Sequence, residues 1–541
     1  MSPSSSPRIR RFDVVPFAPS FATASAFNAT TTSAVIRGSG TGGSGHHHEE
    51  EEERAPLPVK CQPPSPPSPP YGNVAASSHW FKKQPTHRIH LMPSAATPIE
   101  QLGLPEMAED SPYRFFVKRD DMVGGMETTG NKLRKLEFLM ADAVVSGCDA
   151  VVTAGGTQSN HARATAAVAR RLGLAPYLVL RDDGHSVRLS SGNCLLNRLL
   201  GANVDVMSRE DYIANGGGGA AVKRKVESLE ATGEAEKPYG IDVGGSNWLG
   251  SWGYLQMCRE ELFGHVYSAT TAPQQQRQPY PTSTTMTSAA GMEDVDDDEG
   301  LKWSPSPVLR WSAIVSAAGS GGTLCGLALG TALADFAATS VHHGGGWCGG
   351  VATRRSATHR PLSSSRPPAV IGYGVCDDPN WFLNKVASLL EEMVTDGGAN
   401  SLVQHRRQWG AGSGGGGSLY DDLTRSLCEV RDAKNLGYGK ATDEELQFLC
   451  RVSRESGIVF DPTYGNKALH AMWRDAKVGA LPLGPFAAAA AAGDGGGGGG
   501  DDDAMGRSHG GRFSDVLFIH TGGGPSVFEW NARLSSLPPI S

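Results

Sequence analysis

Short β-branched runs that end in glycine and lead into helical patterns recur along this chain, and that alternation restricts the fold more than any other feature. "DAVVTAG" (Asp149–Gly155) reads as a buried strand and "HARATAAVARRLG" (His161–Gly173) as a helix. The pairing recurs in "APYLVLR" with "GNCLLNRLLGA", in "NVDVMS" with "AAVKRKVESLEATG", and in "SAIVSAAG" with "GTLCGLALGTALADF". "AVIGYGVCD" and "DVLFIHTGG" read as further strands, and "DEELQFLCRVSRESG" as a helix. Such alternation predicts an α/β fold with parallel sheets covered by helices. Ligands of these sheets bind beyond the carboxyl ends of the strands. The turns after Thr153, Ser316 and His520 are therefore where chemistry is sought.

The chain has 541 residues, but much of it carries no hydrophobic periodicity. Residues 1–80 are rich in Ser, Pro, Ala and Gly. Similar stretches run over about 267–308, 340–368, 400–418 and 485–512. Such segments cannot offset their ordering entropy, so they are expected to be disordered insertions. What remains is about 350 residues, the size of one two-domain enzyme.

The net charge of −7 says little about a partner, because Glu49–Glu53, Glu293–Glu299 and Asp501–Asp503 together hold 14 carboxylates. No basic stripe with interleaved aromatics is present, which argues against nucleic-acid binding. Nine cysteines are scattered without a CxxC pair. That predicts reduced thiols rather than a disulfide framework or a zinc site, and no metal is expected. No apolar run is expected to span a membrane; "FAAAAAAG" is too short. The first 40 residues hold Ser, Thr, Ala and Arg with one acid, Asp13. This composition fits an organelle transit peptide for mitochondrion or chloroplast; a plain tail on a cytoplasmic protein is the alternative.

"TTGNKLRKLEFLMADAV" (Thr128–Val144) places Lys132 at the mouth of an amphipathic helix. A cation is disfavoured at that end of the helix dipole. Either Lys132 is one of three solvated charges with Arg134 and Lys135, or its amine is kept neutral for covalent chemistry. The rest of the chain favours the second reading. "SAAGSGGTLCGLALG" (Ser316–Gly330) is a strand, a Gly-Ser-Gly-Gly-Thr turn and a helix, the form of a phosphate cradle. It lacks the Gly-Lys-Ser/Thr ending of a P-loop. "TAGGTQSNHARA" (Thr153–Ala164) offers Gln158, Ser159 and Asn160 at a helix start, where a carboxylate can dock. Ser159 and His161 do not form a hydrolytic pair, because GGTQSN is not a G-x-S-x-G elbow. Tyr438 and Tyr464 sit among glycines, and Thr521 ends a strand before three more. One lysine, a phosphate cradle, a carboxylate nest, two loop tyrosines and a strand-end hydroxyl are the parts of a pyridoxal phosphate enzyme.

"GNKLRKLEFL", "GGTQSNHARA", "VGGSNWLGSWGY", "GSGGTLCGL", "DPTYGNKA" and "IHTGG" together resemble the D-cysteine desulfhydrase and 1-aminocyclopropane-1-carboxylate deaminase family. "MADAV", "SNHARATAA" and "VCDDPNWF" resemble its plant-type desulfhydrases most. The resemblance covers roughly residues 88–265, 309–340, 369–395, 430–478 and 513–530. It implies a two-domain tryptophan-synthase-β-like fold, fold type II among pyridoxal phosphate enzymes. The large cofactor domain would take 81–134 and 251–541, the small α/β domain 135–250. A homodimer acting on a small amino acid is implied. Carried over by motif, Lys132 is the Schiff-base lysine, Ser320, Gly321, Gly322 and Thr323 bind the phosphate, and Asn160 contacts the phenolic oxygen. Gln158, Ser159 and Asn160 face the substrate; Tyr438 and Tyr464 flank it; Thr521 faces the pyridine nitrogen. Two departures from the family stand out: Gly465-Asn466 follows the tyrosine where a hydroxyl or carboxylate residue and then glycine are usual, and Thr463 replaces an apolar residue. The activity implied is β-elimination from D-cysteine to pyruvate, ammonia and hydrogen sulfide. The cyclopropane deaminase and a cofactor-binding pseudoenzyme are the alternatives.

Overall fold

The computed structural model describes residues 14–16, 80–92, 96–108, 111–182, 191–264, 311–343, 367–409, 417–483 and 513–537. The strands are β1 (Val14–Pro16), β2 (His87–Ile89), β3 (Ile99–Leu102), β4 (Tyr113–Lys118), β5 (Ala150–Gly156), β6 (Ala175–Asp182), β7 (Asn203–Ser208), β8 (Pro238–Ile241), β9 (Ala313–Ala318), β10 (Ala369–Gly374), β11 (Cys428–Asp432) and β12 (Ser514–Ile519). The helices used below are α1 (Lys132–Val145), α2 (Asn160–Arg171), α3 (Gly192–Leu199), α4 (Arg209–Ala214), α5 (Gly217–Thr232), α6 (Trp248–Met257), α7 (Gly322–His343), α8 (Pro379–Met393), α9 (Asp396–Arg407), α10 (Leu419–Leu427), α11 (Asp443–Ser456) and α12 (Gly465–Lys477).

Two main sheets carry the chain. One has the order β11-β10-β9-β12-β4-β3 and the other β7-β6-β5-β8. The second is wholly parallel. The first is parallel except that β3 runs antiparallel to β4, in keeping with the expected parallel sheets covered by helices. Edge strands of this kind are common on otherwise parallel sheets.

The first sheet is buried on both faces, and β12 shows how. Leu517 and Ile519 pack with α1, α6 and α7, whereas Val516 and Phe518 pack on the other face with α11 and α12. This is why its strands read as continuous apolar runs. Registers pair Gly374 with Ala318, Ile519 with Ser316, and Gly156 with Arg181. The carboxyl ends within each sheet therefore lie level.

Helix α7 corrects the expectation that no run is long enough for a membrane. Gly322–Thr339 passes by length, with a mean hydropathy of 1.3, yet 83% of it is buried inside the protein. Its Leu324, Leu327, Leu329 and Leu333 are core residues, each worth about 1.5–3 kcal/mol on burial. It lies close against α6, because a Cβ on Gly326 would fall 2.4 Å from the Ser251 carbonyl oxygen.

Three of the segments expected to be disordered are partly ordered, and residues 340–343 belong to α7. Val14–Pro16 pairs antiparallel with His87–Ile89. Residues 400–407 belong to α9, whose Leu402 and Val403 are buried. Thr395 caps that helix, its hydroxyl accepting from the Gly398 N–H at 3.1 Å, and the apolar positions were masked by flanking glycines. The remainder of 1–79, all of 267–308 and 485–512, and most of 340–368 lie outside the described residues.

Candidate active site

Lys132 is the first residue of α1 and is placed there by a crossing of glycines. Gly130 (φ +103°) and Gly522 (φ +84°) meet so closely that a Cβ on Gly522 would lie 2.4 Å from Gly130 Cα. The contact lets the Asn131 N–H donate to the Thr521 carbonyl at 3.1 Å, tying α1 to the end of β12. Behind it, Arg134 donates to both oxygens of Asp120 at 2.7 and 2.8 Å, and to Glu261. Tyr254 donates to the same Asp120 at 2.6 Å. Arg134 and Lys135 are 2% and 0% exposed, so the reading of three solvated charges is wrong. A buried pair of this kind costs about 3–5 kcal/mol to break by removing one partner, which makes the α1 mouth rigid.

Lys132 opens into a cavity of about 840 Å³ between the two sheets. On one side Ser320, Gly321 and Thr323 line it at the start of α7. Gly322 does not line it; its N–H donates to Ser246 Oγ at 3.3 Å. The facing wall is the turn Val243–Gly245 with Ser246. Ser246 and Ser320 share a hydroxyl hydrogen bond of 2.7 Å. Lys135 Nζ donates to the Gly244 carbonyl and to Ser246 Oγ, both at 3.1 Å. Asn131 donates to Thr323 Oγ1 at 3.1 Å. Lys135 and the Val243–Ser246 wall were missed as site residues. The spacing of three from Lys132, which puts both amines on one helix face, was the available signal.

Across the cavity Ser159 caps α2, its hydroxyl accepting from the Ala162 N–H at 3.1 Å, and lines the cavity with Asn160. Asn160 Oδ1 accepts from Asn193 Nδ2 at 2.8 Å. Gln158 points elsewhere: it donates to the Ser191 carbonyl at 3.2 Å and accepts from the Asn193 N–H at 2.8 Å. Tyr464 donates to the Tyr438 hydroxyl at 3.1 Å, with ring centroids 5.9 Å apart. Asp461 accepts from the Tyr464 and Gly465 N–H groups, each at 2.8 Å. Thr521 lines the floor. All three strand-end turns singled out in the sequence thus meet here, with Gln158 and Gly322 set back from the cavity.

The buried setting controls charge. Burial brings the Lys132 amine down to about 8, with Asp461 acting in the opposite direction. Burial raises the Asp461 carboxyl to about 6 against the backbone donors that hold it. Lys135 is lowered well below the ordinary lysine value by burial and by Lys132. His161, on the same wall, is lowered by burial and by both lysines and stays neutral. Tyr464 is raised by burial and by Tyr438.

A half-neutral amine facing a hydroxyl-lined helix start, with a buried lysine behind it, fits an aldehyde that carries a phosphate. The fit defines a fold type II pyridoxal phosphate enzyme. The sequence profile of the pyridoxal-phosphate dependent enzymes matches residues 92–276. The bifunctional D-cysteine desulfhydrase/1-aminocyclopropane-1-carboxylate deaminase of Arabidopsis thaliana, a mitochondrial protein, is 32% identical over 412 residues, 74% of this chain and 76% of that one. A putative 1-aminocyclopropane-1-carboxylate deaminase of Pyrococcus abyssi is 28% identical over 83% of this chain and 96% of its own length. A crystal structure of an ACC deaminase homologue superposes with a TM-score of 0.52 and 25% identity, covering 84% of this chain and 97% of that one. The chain belongs to the D-cysteine desulfhydrase and 1-aminocyclopropane-1-carboxylate deaminase family of pyridoxal-phosphate dependent enzymes. Its cofactor is pyridoxal 5′-phosphate.

Proposed function

We propose that this enzyme eliminates the thiol from D-cysteine, giving pyruvate, ammonia and hydrogen sulfide. The observation that carries the reading is Thr521 on the cavity floor together with Gly465 outside it. In the deaminase branch a glutamate takes the place of Gly465. Here that position has no side chain, and a Cβ would face Asp461 Oδ1 at 3.0 Å. A neutral hydroxyl at Thr521 leaves the ring nitrogen mostly unprotonated. That is a weaker sink, sufficient for a thiolate leaving group and poor for an unactivated cyclopropane ring.

Bound at Lys132, Ser320, Gly321, Thr323 and Asn160, the cofactor supplies the electron sink that acidifies the substrate Cα. Lys135 and Ser246 hold the cradle beneath the phosphate. Ser159 and the start of α2 bind the substrate carboxylate. Lys132, with its amine near neutrality, takes the Cα proton. The Tyr438–Tyr464 hydroxyl pair stands by the substrate and passes a proton to the departing sulfur.

Deaminase activity is the second reading, favoured by the bifunctional name of the Arabidopsis relative. A substrate panel decides between them. Hydrogen sulfide and pyruvate from D-cysteine, with little 2-oxobutanoate from the cyclopropane amino acid, is the expected result. Faster 2-oxobutanoate at matched concentrations would overturn the argument from Gly465 and Thr521. We further propose organelle import, on the acid-poor composition of residues 1–40 and the mitochondrial location in the relative's name. A fusion of residues 1–80 to a fluorescent reporter tests it, and diffuse cytoplasmic signal would refute it.

A further inference from the structure

The charge lining the cavity exceeds what the proposed reaction uses. Six lining residues are cations and two, Asp242 and Asp377, are carboxylates. Lys132 is the attachment amine. Lys385 lies over the cradle, its Cγ 2.9 Å from where a Cβ on Gly321 would stand, so it would serve the cofactor phosphate. The α-carboxylate of the substrate belongs to Ser159. Arg181, Arg209, Lys434 and Lys440 also line the cavity and have no role in that reaction.

These four sit on both sides of the cavity. Arg181 is the last residue but one of β6, beside Gly156, and Arg209 opens α4. Lys434 and Lys440 flank Tyr438 on the facing loop. Arg181 is half-buried. Its guanidinium lies 5.3 Å from the ring centre of Tyr438 and 5.6 Å from that of Tyr212, so two ring faces hold it in place. This puts a cation next to the tyrosine pair, which the proposed reaction sets at the departing sulfur. Clefts lined by one sign of charge concentrate ligands of the other.

Resting on the desulfhydrase reading, we propose that Arg181, Lys434 and Lys440 form a subsite for an acidic group on the substrate's β-substituent, making S-substituted D-cysteines with an acidic tail a substrate class of this enzyme. For S-carboxymethyl-D-cysteine the Cβ–S bond breaks, its electron pair leaves with sulfur, and water hydrolyses the remaining aminoacrylate. The products are thioglycolate, pyruvate and ammonia. No oxidant or reductant is needed.

The test compares S-carboxymethyl-D-cysteine with its neutral isostere, S-carbamoylmethyl-D-cysteine, on the cofactor-loaded enzyme. The acid should be preferred in kcat/KM by about tenfold or more, the worth of a charge-assisted contact. The preference should shrink as salt rises. In the Arg181→Gln/Lys434→Gln/Lys440→Gln variant the ratio should fall toward one, a comparison made within a single protein and so independent of its overall rate. Dissociation constants read from the change in cofactor absorbance give the same ratio without turnover. Equal use and equal binding of acid and amide by the wild type would overturn the subsite, as would a variant that kept the preference. Failure to use D-cysteine at all, with the acid still bound more tightly, would instead overturn the desulfhydrase reading and leave the subsite standing.

Discussion

At the floor of the cavity Lys135 is 0% exposed and its amine is bonded to Gly244 and Ser246. At the rim, Lys434 and Lys440 border a loop whose Leu436 is 58% exposed. That loop is carried by residues in left-handed backbone, Asn435, Gly437 and Gly439. It is moored from below, where Lys467 donates to the Lys434 carbonyl at 2.7 Å and Asn435 to Glu445 at 2.8 Å. The floor is packed from α1, α6 and α7. The rim is more exposed, and its Lys434 and Lys440 line the cavity mouth. A rigid floor suits a cofactor that never changes. A lightly held rim suits discrimination among amino acids.

The sharpest break between the two regions should come from Lys132→Ala. Borohydride reduction of the wild type should trap the cofactor on Lys132, and the variant should show no adduct and no visible band. An adduct mapped to another lysine would sink the assignment of the floor.

Two variants should then separate floor from substrate wall. Lys135→Met should weaken cofactor binding by about 10- to 150-fold, the range for hydrogen bonds to a charged group, measured by absorbance titration. Ser159→Ala should leave that titration nearly unchanged and lower kcat/KM by a similar factor. If Ser159→Ala lost cofactor as readily as Lys135→Met, the two walls would not be functionally distinct.

A smaller effect concerns pH. Capture of added pyridoxal phosphate requires the neutral amine of Lys132, which burial brings to about 8. The capture rate should rise with pH, then level off above about 8. An exposed lysine, near about 10.4, would still be climbing. Rates followed by absorbance between about pH 6.5 and 9.5 distinguish the two.

Removing residues 270–305 should have the least effect. The segment is rich in Gln, Pro, Thr and acid and lies between the family-like blocks. Its deletion should leave solubility and kcat/KM unchanged, and insoluble protein would show that the segment has structural work.

Local chemistry was readable along the chain because it depends on neighbours in sequence. Strand-to-helix turns show as β-branched runs closed by glycine, and "GSGGT" and "GNK" carry their geometry within a few residues. The same reading failed where a residue's role depends on what lies opposite. Arg134 and Lys135 look like surface charges on a helix, and only Asp120, Glu261, Gly244 and Ser246 make their burial tolerable. Residues 400–407 look like part of a glycine-rich gap, and only packing of Leu402 and Val403 into the core makes them a helix.

The sequence by itself determined the α/β class and the cofactor, because a parallel sheet with helix-start cradles is written in short contiguous motifs. The tertiary structure alone decided which of the neighbouring groups face the cavity. Gln158 is turned to Ser191 and Asn193, Gly322 to Ser246, and Gly465 to Asp461. A hydrogen bond between residues far apart in the chain depends on distances that no local motif encodes, and each of these groups is claimed by the partner that packing brings nearest.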